Sequence, residues 1–147
     1  MKKLLLFLLL LACDDPALVL VDDGYPDATR VDAVWWRETL VPDAVEPGAS
    51  SPAYRATTGA DYAYFLLERN GVVFVARSKD VLSVARGDTL HVVASPDRIV
   101  GDCATGAPLT QAEGDFITQS IFPAAFEGAI YDATTCKTFR PADAGAD

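Results

Sequence analysis

The sequence predicts a mainly β (α+β) fold: an antiparallel β-sandwich-like domain with one C-terminal helix and one disulfide. A hairpin with apolar residues on both faces indicates a sheet that lies between two layers. Apolar residues recur at helical spacing between positions 111 and 122. Two cysteines, Cys103 and Cys136, lie one before and one after that segment.

Length and composition limit the classes of protein that this chain can form. Its 147 residues allow one ordinary domain, and half of them are hydrophobic, which excludes a disordered or low-complexity chain. The net charge of −9 argues against binding of nucleic acid and against electrostatic docking on anionic lipid. The chain has a single histidine, His91, which leaves few residues that could form a metal site or act in acid–base catalysis.

The first thirteen residues have the pattern of an export signal. Lys2 and Lys3 precede an unbroken apolar run over residues 4–11, and polarity returns at Asp14. With Ala12 the run would cover roughly 13 Å as a helix, less than half of a ~30 Å hydrocarbon core, so it is too short to span a membrane. The pattern predicts a secretory signal peptide.

The end of the run, Leu-Leu-Ala-Cys at residues 10–13, resembles the lipobox of bacterial lipoproteins. The resemblance covers only this segment. It implies a signal peptide of residues 1–12, cleavage before Cys13, and acylation of Cys13 (palmitate-type chains), which attaches the protein to a lipid bilayer. Two or more acyl chains give stable anchoring. The expected location is the cell envelope, on the periplasmic or cell-surface side. A plain signal peptide and a buried helix are the alternatives.

The two remaining cysteines form an even pair in an oxidising compartment, so we expect a Cys103–Cys136 disulfide. It would close a loop of 33 residues and stabilise the fold by roughly 3–4 kcal/mol. Removal of Lys2 and Lys3 with the signal peptide changes the net charge from −9 to −11.

We predict a lipidated tether over residues 13–27, a single domain over residues 28–141, and a frayed tail over residues 142–147. Residues 17–21, Ala-Leu-Val-Leu-Val, leave an alternative open. If they form a strand, the domain begins almost at the membrane surface; if not, the tether extends to about Asp27.

Within the domain, residues 31–39 read as a strand that contains Trp35 and Trp36. Neighbouring strand residues point to opposite faces, so only one of these rings can belong to a given core layer. The Pro- and Ser-rich segment 41–59 predicts a long connection with one short strand near residues 54–56.

Asn70-Gly71 between two apolar runs predicts a β-hairpin with a type I′ turn. With Arg69 opposite Val72, one face carries Phe65, Leu67, Val72 and Phe74. The other carries Tyr62, Tyr64, Leu66, Val73 and Val75.

A second hairpin is predicted from residues 81–85 and 89–94, with a turn at 86–88. The Gly-Asp-Thr-Leu sequence at residues 87–90 faintly resembles strands of bacterial immunoglobulin-like modules, which implies a sandwich.

Thr110 and Glu113 have the spacing of a capping box, which predicts a helix over residues 111–122 with a stripe of Ala112, Phe116, Ile117 and Ile121. A last strand is expected at residues 129–132.

No catalytic, cofactor-binding or metal-binding residue is predicted. His91 alternates with Leu90 and Val92 and should face solvent. Asp22, Asp23 and Asp27 lack the alternating spacing of a calcium loop. An outward-facing Trp35 or Trp36 would suit carbohydrate stacking, and Arg86-Gly87-Asp88 matches an adhesion tripeptide, but burial and a simple turn explain these features as well.

Three hypotheses of function follow. The first is a non-enzymatic envelope lipoprotein that acts as a binding or structural module. The second is an acidic inhibitor or binder of a basic envelope protein such as a lysozyme-like enzyme, for which charge complementarity speeds association. The third is a small envelope hydrolase with paired carboxylates. A concentrated acidic patch favours the second, and a cleft with two facing carboxylates favours the third.

Overall fold

A computed structural model describes residues 16–139. The predicted signal peptide, Cys13 and the predicted C-terminal tail lie outside these residues. The elements, in chain order, are β1 (Ala17–Asp23), β2 (Arg30–Trp36), β3 (Thr39–Val41), β4 (Tyr54–Ala56), β5 (Gly59–Asp61), β6 (Ala63–Arg69), β7 (Val72–Ser78), β8 (Leu82–Val84), β9 (Thr89–Ala94), β10 (Ile99–Val100), the helix α1 (Gln111–Phe116), a π-helix (Ile117–Ile121), a 3₁₀ turn (Pro123–Ala125), β11 (Ile130–Asp132) and β12 (Lys137–Phe139).

Two sheets form the β-sandwich-like body. One has three strands in the order β4-β1-β9, and the other has five in the order β10-β7-β6-β2-β3. The pairs β5-β8 and β11-β12 form two small additional sheets. The main core lies between the two large sheets and includes Val19 and Val21 of β1, Trp36 of β2 and Phe65 and Leu67 of β6. The predicted mainly β fold with one disulfide is confirmed.

The β6–β7 hairpin has the predicted register, with Arg69 opposite Val72 and Leu67 opposite Phe74. Its turn residues Asn70 and Gly71 both have positive φ, at 54° and 80°, as a type I′ turn requires. Phe65, Leu67 and Phe74 face the three-stranded sheet.

The opposite face of the hairpin, which includes Tyr64, Leu66, Val73 and Val75, is covered by the helical segment. The predicted three-layer burial is therefore confirmed. Val72 departs from it, because its side chain is 55% exposed at the end of the hairpin.

The helix begins where the capping box predicts. Thr110 accepts a hydrogen bond from the Glu113 N–H, and Glu113 accepts one from the Thr110 N–H. The predicted stripe is only half right, because Ala112 and Phe116 are exposed. The buried positions are Gly114, Ile117 and Thr118. The wider π-turn after Phe116 changes the angle between successive side chains, which a regular 3.6-residue period does not anticipate.

Gly114 is needed for packing, although glycine has a low helix propensity. A Cβ at this position would lie 1.9 Å from the Tyr131 ring. The absent side chain thus lets Tyr131 of β11 pack directly on the helix backbone.

The second predicted hairpin is wrong in its pairing. The strands β8 and β9 exist, but β8 pairs with β5, and β9 pairs in parallel with β1. The Gly87 turn, with φ 82°, connects the two strands without making them a hairpin, because β8 pairs with β5 instead.

Two boundaries are also corrected. β1 is the central strand of its sheet, so residues 17–23 belong to the domain and the tether does not extend to Asp27. The strand predicted over residues 31–39 is a β2–β3 hairpin that turns at Arg37, where φ is 56°. The short strand β4 and the last strand β11 lie where the sequence predicts them.

We expect Gly114→Ala to destabilise the protein by about 1–3 kcal/mol, because overpacking against Tyr131 outweighs the gain in helix propensity of up to ~1 kcal/mol. Gly106→Ala is the matched control, since a Cβ there meets no atom within 4 Å. Urea unfolding of both variants measures the difference. Equal stability of the two would contradict the close approach of Tyr131.

Candidate functional site

His91 lies on the exposed face of β9, as predicted. Its Nδ1 is 3.0 Å from the Oδ2 atom of Asp22 on the neighbouring strand. The Ser50 hydroxyl donates to the other oxygen of Asp22. A nucleophilic triad needs the imidazole between the hydroxyl and the carboxylate, because the imidazole takes the hydroxyl proton. Here Asp22 lies between Ser50 and His91, so the arrangement does not activate Ser50.

The three aspartates considered for calcium contact different partners. Asp22 binds Ser50 and His91, Asp23 accepts from the Tyr25 N–H at 3.0 Å, and Asp27 accepts from the Thr29 N–H at 2.9 Å. Over residues 16–139, no three His, Cys, Asp or Glu side chains form a group that could hold a metal ion.

The two tryptophans lie in different layers and differ in burial. Trp36 is buried between the sheets, and its Nε1 donates to the Asp61 carbonyl oxygen at 3.2 Å. Trp35 is half-buried against the helical layer. Burial removes Trp36 from the carbohydrate-stacking hypothesis, and the prediction that the two rings belong to different layers is confirmed.

The Arg86-Gly87-Asp88 segment is a turn before β9. Gly87 has the positive φ of a turn, and the Asp88 carbonyl oxygen accepts from the Leu18 N–H at 3.0 Å. The turn before β9 accounts for a glycine at position 87, so an adhesive role is not needed to explain the tripeptide.

The best-formed polar cluster centres on Arg69 and Asp102. The two terminal nitrogens of Arg69 donate to the two carboxylate oxygens of Asp102, at 2.9 and 2.6 Å. The Tyr25 hydroxyl also donates to Asp102, at 2.9 Å, and Arg69 Nε donates to the Thr29 hydroxyl at 2.9 Å. The paired forks of this ion pair give it both strength and a fixed orientation.

The Arg69 guanidinium also lies between two aromatic rings. Its carbon is 5.6 Å from the Tyr25 ring centre and 5.2 Å from that of Phe74. These rings bury the apolar surface of the guanidinium and contribute cation–π attraction. The cluster thereby joins the β1–β2 loop, β6, β7 and the loop after β10.

Burial and charge shift the pKa values within the cluster. Burial alone would raise the pKa of Asp102, but the hydrogen bonds from Arg69 and Tyr25 and the positive charge of Arg69 lower it overall. Burial, followed by the Asp102 charge, raises the pKa of Tyr25. At neutral pH the cluster is therefore an ionised Arg–Asp pair with a protonated tyrosine.

A second buried carboxylate lies nearby without such a partner. Asp23 is buried, and its Oδ2 accepts no hydrogen bond from the residues that the structure describes. Burial raises the pKa of Asp23. Its main-chain groups hold the loop over residues 46–49, since Gly48 N–H donates to the Asp23 carbonyl oxygen at 2.8 Å.

A cavity of about 270 Å³ opens beside this cluster. Phe74 and Val72 give it an apolar wall, Arg69 and Asp102 a charged wall, and Lys137 is also part of its lining. The Cys103–Cys136 disulfide, with Cα atoms 6.1 Å apart, lines it as well. The predicted cystine is thus confirmed. The volume of the cavity is near the lower limit of small-ligand sites, so the cavity fits one side chain or a small fragment.

Carboxylates also gather around a second arginine. Arg30 forms ion pairs with Asp32 at 2.8 Å, with Glu46 at 4.0 Å and with Glu68. Because the guanidinium occupies the space between Asp32 and Glu68, these acids do not flank an open cleft as a glycosidase pair does.

Sequence reasoning missed the Arg69–Asp102 cluster. The residues that its hydrogen bonds join are separated by 33 residues or more. The available signal was the position of Asp102 directly before Cys103, which places the carboxylate on the loop that the disulfide fixes.

Comparison with protein-family models, with curated proteins and with solved structures gives no match to this chain. Between residues 16 and 139, no helix has the length and hydropathy needed to cross a bilayer.

We expect Asp102→Asn to destabilise the protein by about 3 kcal/mol, because it removes the buried counter-charge of Arg69 and leaves only the exposed carboxylate of Asp27, 3.3 Å from Arg69 Nε. Asp32→Asn is the matched control. It removes an arginine partner at the surface and should cost less than about 1 kcal/mol.

The pH dependence provides a second check. The Asp102 pKa is lower in the folded state than in the unfolded chain, so its contribution is present above about pH 4 and is lost as the pH falls through the folded-state value. The difference in urea unfolding free energy between wild type and Asp102→Asn should therefore shrink in acid. A difference that does not change with pH would contradict the ionised pair.

Proposed function

We propose that this chain is a membrane-anchored envelope lipoprotein and acts there as a non-enzymatic binding or structural module. The lipid anchor is Cys13, exposed as the new amino terminus after removal of residues 1–12. The Leu-Leu-Ala-Cys sequence at residues 10–13 supports this assignment, together with the basic and apolar leader before it. The bilayer, reached through acylated Cys13, is its first partner, and an envelope protein is its second.

The position of β1 carries the proposal. β1 begins at Ala17, four residues after Cys13, which corresponds to at most about 14 Å of extended chain. The anchored cysteine and the start of the folded domain are therefore close together, and the domain is held near the lipid surface.

The cavity beside the disulfide is the binding site that this orientation favours. β1 is about 20 Å long, and the chain reaches Tyr25 only beyond its far end. Tyr25 contacts Asp102, which lines the cavity. The lipid anchor and the cavity thus adjoin opposite ends of β1, and this leaves room for a partner at the cavity.

The pairing of the polar groups supports binding rather than catalysis. Asp102 is engaged by Arg69 and Tyr25, and Asp22 separates His91 from Ser50. Acid–base or nucleophilic catalysis needs a group that can reach the substrate and exchange a proton with it.

We expect Cys13→Ser to accumulate as a soluble form or as an unprocessed precursor, because no thiol remains for the lipid, while wild type partitions into detergent. The matched control is the double variant Cys103→Ser/Cys136→Ser, which keeps Cys13 and should still partition into detergent. Detergent phase separation with mass analysis of the amino terminus measures both. Normal processing and membrane retention of Cys13→Ser would refute the anchor.

The acidic residues around Arg30 support a second candidate, an acidic binder of a basic envelope protein such as a lysozyme-like enzyme. Asp32, Glu46 and Glu68 outnumber the single arginine that they contact, and Glu46 is exposed. Such a patch attracts a basic protein at long range and accelerates association.

For this candidate, a lysozyme should bind the protein with a rate constant that falls steeply as salt rises. Glu46→Gln should lower that rate constant, whereas Glu127→Gln, which changes an exposed acid outside the patch, should leave it almost unchanged. Surface plasmon resonance at two salt concentrations measures this. Equal effects of the two variants would exclude the patch as the docking surface.

A further inference from the structure

β9 has one side without a strand partner. It pairs in parallel with β1, from Leu18 opposite Thr89 to Asp23 opposite Ala94. In a parallel pair, alternate residues turn both their N–H and their C=O toward the neighbouring strand. The Leu18 N–H donates to the Asp88 carbonyl oxygen at 3.0 Å, and the Gly24 N–H donates to that of Ala94 at 2.8 Å.

This pattern turns the main-chain groups of Leu90, Val92 and Ala94 toward β1. The main-chain groups of Thr89, His91 and Val93 therefore point away from it. Over the described residues 16–139, none of these three makes a main-chain hydrogen bond on the outer side. We call this row of donors and acceptors the free edge of β9.

The free edge is longer than the other edges of the two large sheets. β9 has six residues, whereas β3 and β4 have three each and β10 has two. Proteins usually protect an edge strand with lysine, proline, a bulge or a covering segment. The sequence of β9, Thr-Leu-His-Val-Val-Ala, contains no lysine or proline, and its register with β1 is unbroken.

β8 does not protect this edge of β9, because it forms its main-chain pairs with another strand. A second hairpin would have placed β8 on this edge, but β8 pairs with β5 instead. The edge therefore offers three N–H and three C=O groups in the spacing that an extended polypeptide matches.

We propose that the free edge of β9 binds an extended, cationic segment of another protein by strand addition. The net charge of −9 disfavours a second copy of this acidic chain as the occupant and favours a basic one. The Asp22 carboxylate of β1 lies on the outward face, 3.0 Å from His91. A lysine or arginine of an added strand would be attracted to it across the width of β9, because these side chains are long.

The inward face of an added strand would meet apolar surface. Leu90 is only partly buried and packs at the margin of the main core. A segment that alternates basic and apolar residues would therefore place its apolar side chains over Leu90 and its basic ones toward Asp22. This site is separate from both the lipid anchor and the cavity beside the disulfide.

The test uses the full-length protein and eight-residue peptides with blocked termini. An alternating Lys-Val peptide should slow amide hydrogen exchange in the fragment that contains residues 89–94 by about tenfold, because its main chain protects the outward amides. An alternating Glu-Val peptide should give little protection. A Lys-Val peptide that is N-methylated at every residue should also fail, because it has no main-chain donor on either edge.

Two variants separate the main chain of His91 from its imidazole. His91→Pro removes the central outward N–H, a change that edge strands tolerate, and should abolish protection by the Lys-Val peptide. His91→Thr keeps that N–H and should retain it. If His91→Pro does not fold, the methylated peptide with the wild-type protein decides the question.

Several outcomes would overturn the proposal. Equal protection by the plain and methylated peptides, or no protection at millimolar Lys-Val peptide, excludes strand addition. Protection in the protein alone that grows with its concentration identifies a second copy as the occupant. Protection of the outward amides of Thr89, His91 and Val93 in the protein alone at every concentration means that another part of the same chain covers the edge.

Discussion

The fold depends on the burial of a hairpin that is apolar on both faces. Leu67 and Phe65 face the three-stranded sheet, while Val75 and Leu66 face the helical segment. Burial of one such side chain contributes roughly 1.5–3 kcal/mol, so neither face can remain in water without a large loss of stability. Because the hairpin needs cover on both sides, β1 and the helical segment must pack on opposite faces of the five-stranded sheet.

Segments from the different layers meet at the end of the hairpin, and interactions between their side chains hold them together there. The Arg69–Asp102 pair joins them there, with Tyr25 from the β1–β2 loop as a third member. The disulfide begins at the residue after Asp102, so a covalent bond and a buried ion pair fix the same loop. The adjacent cavity is therefore bounded by groups whose positions are strongly constrained, as a binding site requires.

Local signals in the sequence gave correct predictions, whereas long-range pairing did not follow from them. Asn70-Gly71 fixes the register of the β6–β7 hairpin, because its positive φ values match the twist of the strands. The capping box of Thr110 and Glu113 likewise fixes the start of the helix. The parallel pairing of β1 with β9 joins segments about seventy residues apart, and no local residue pattern specifies it. The burial of Gly114 under Tyr131 is of the same kind, since helix propensity alone describes this glycine as a cost.

The parallel β1–β9 pair connects the features that bear on function. β1 starts close to the proposed lipid anchor, and the loop beyond its end supplies Tyr25 to the Arg69–Asp102 cluster. β9 runs alongside β1 in the same direction, so its free edge extends from the Leu18 end of β1 to the Asp23 end. If β8 had paired with β9 as the sequence suggests, this edge would have been closed by a hairpin. The pairing of β8 with β5, which sequence reasoning also misses, is thus the one that leaves an open surface on the molecule. A strand bound there would extend the three-stranded sheet without disturbing either core, because the added main chain would meet only the outward groups of Thr89, His91 and Val93.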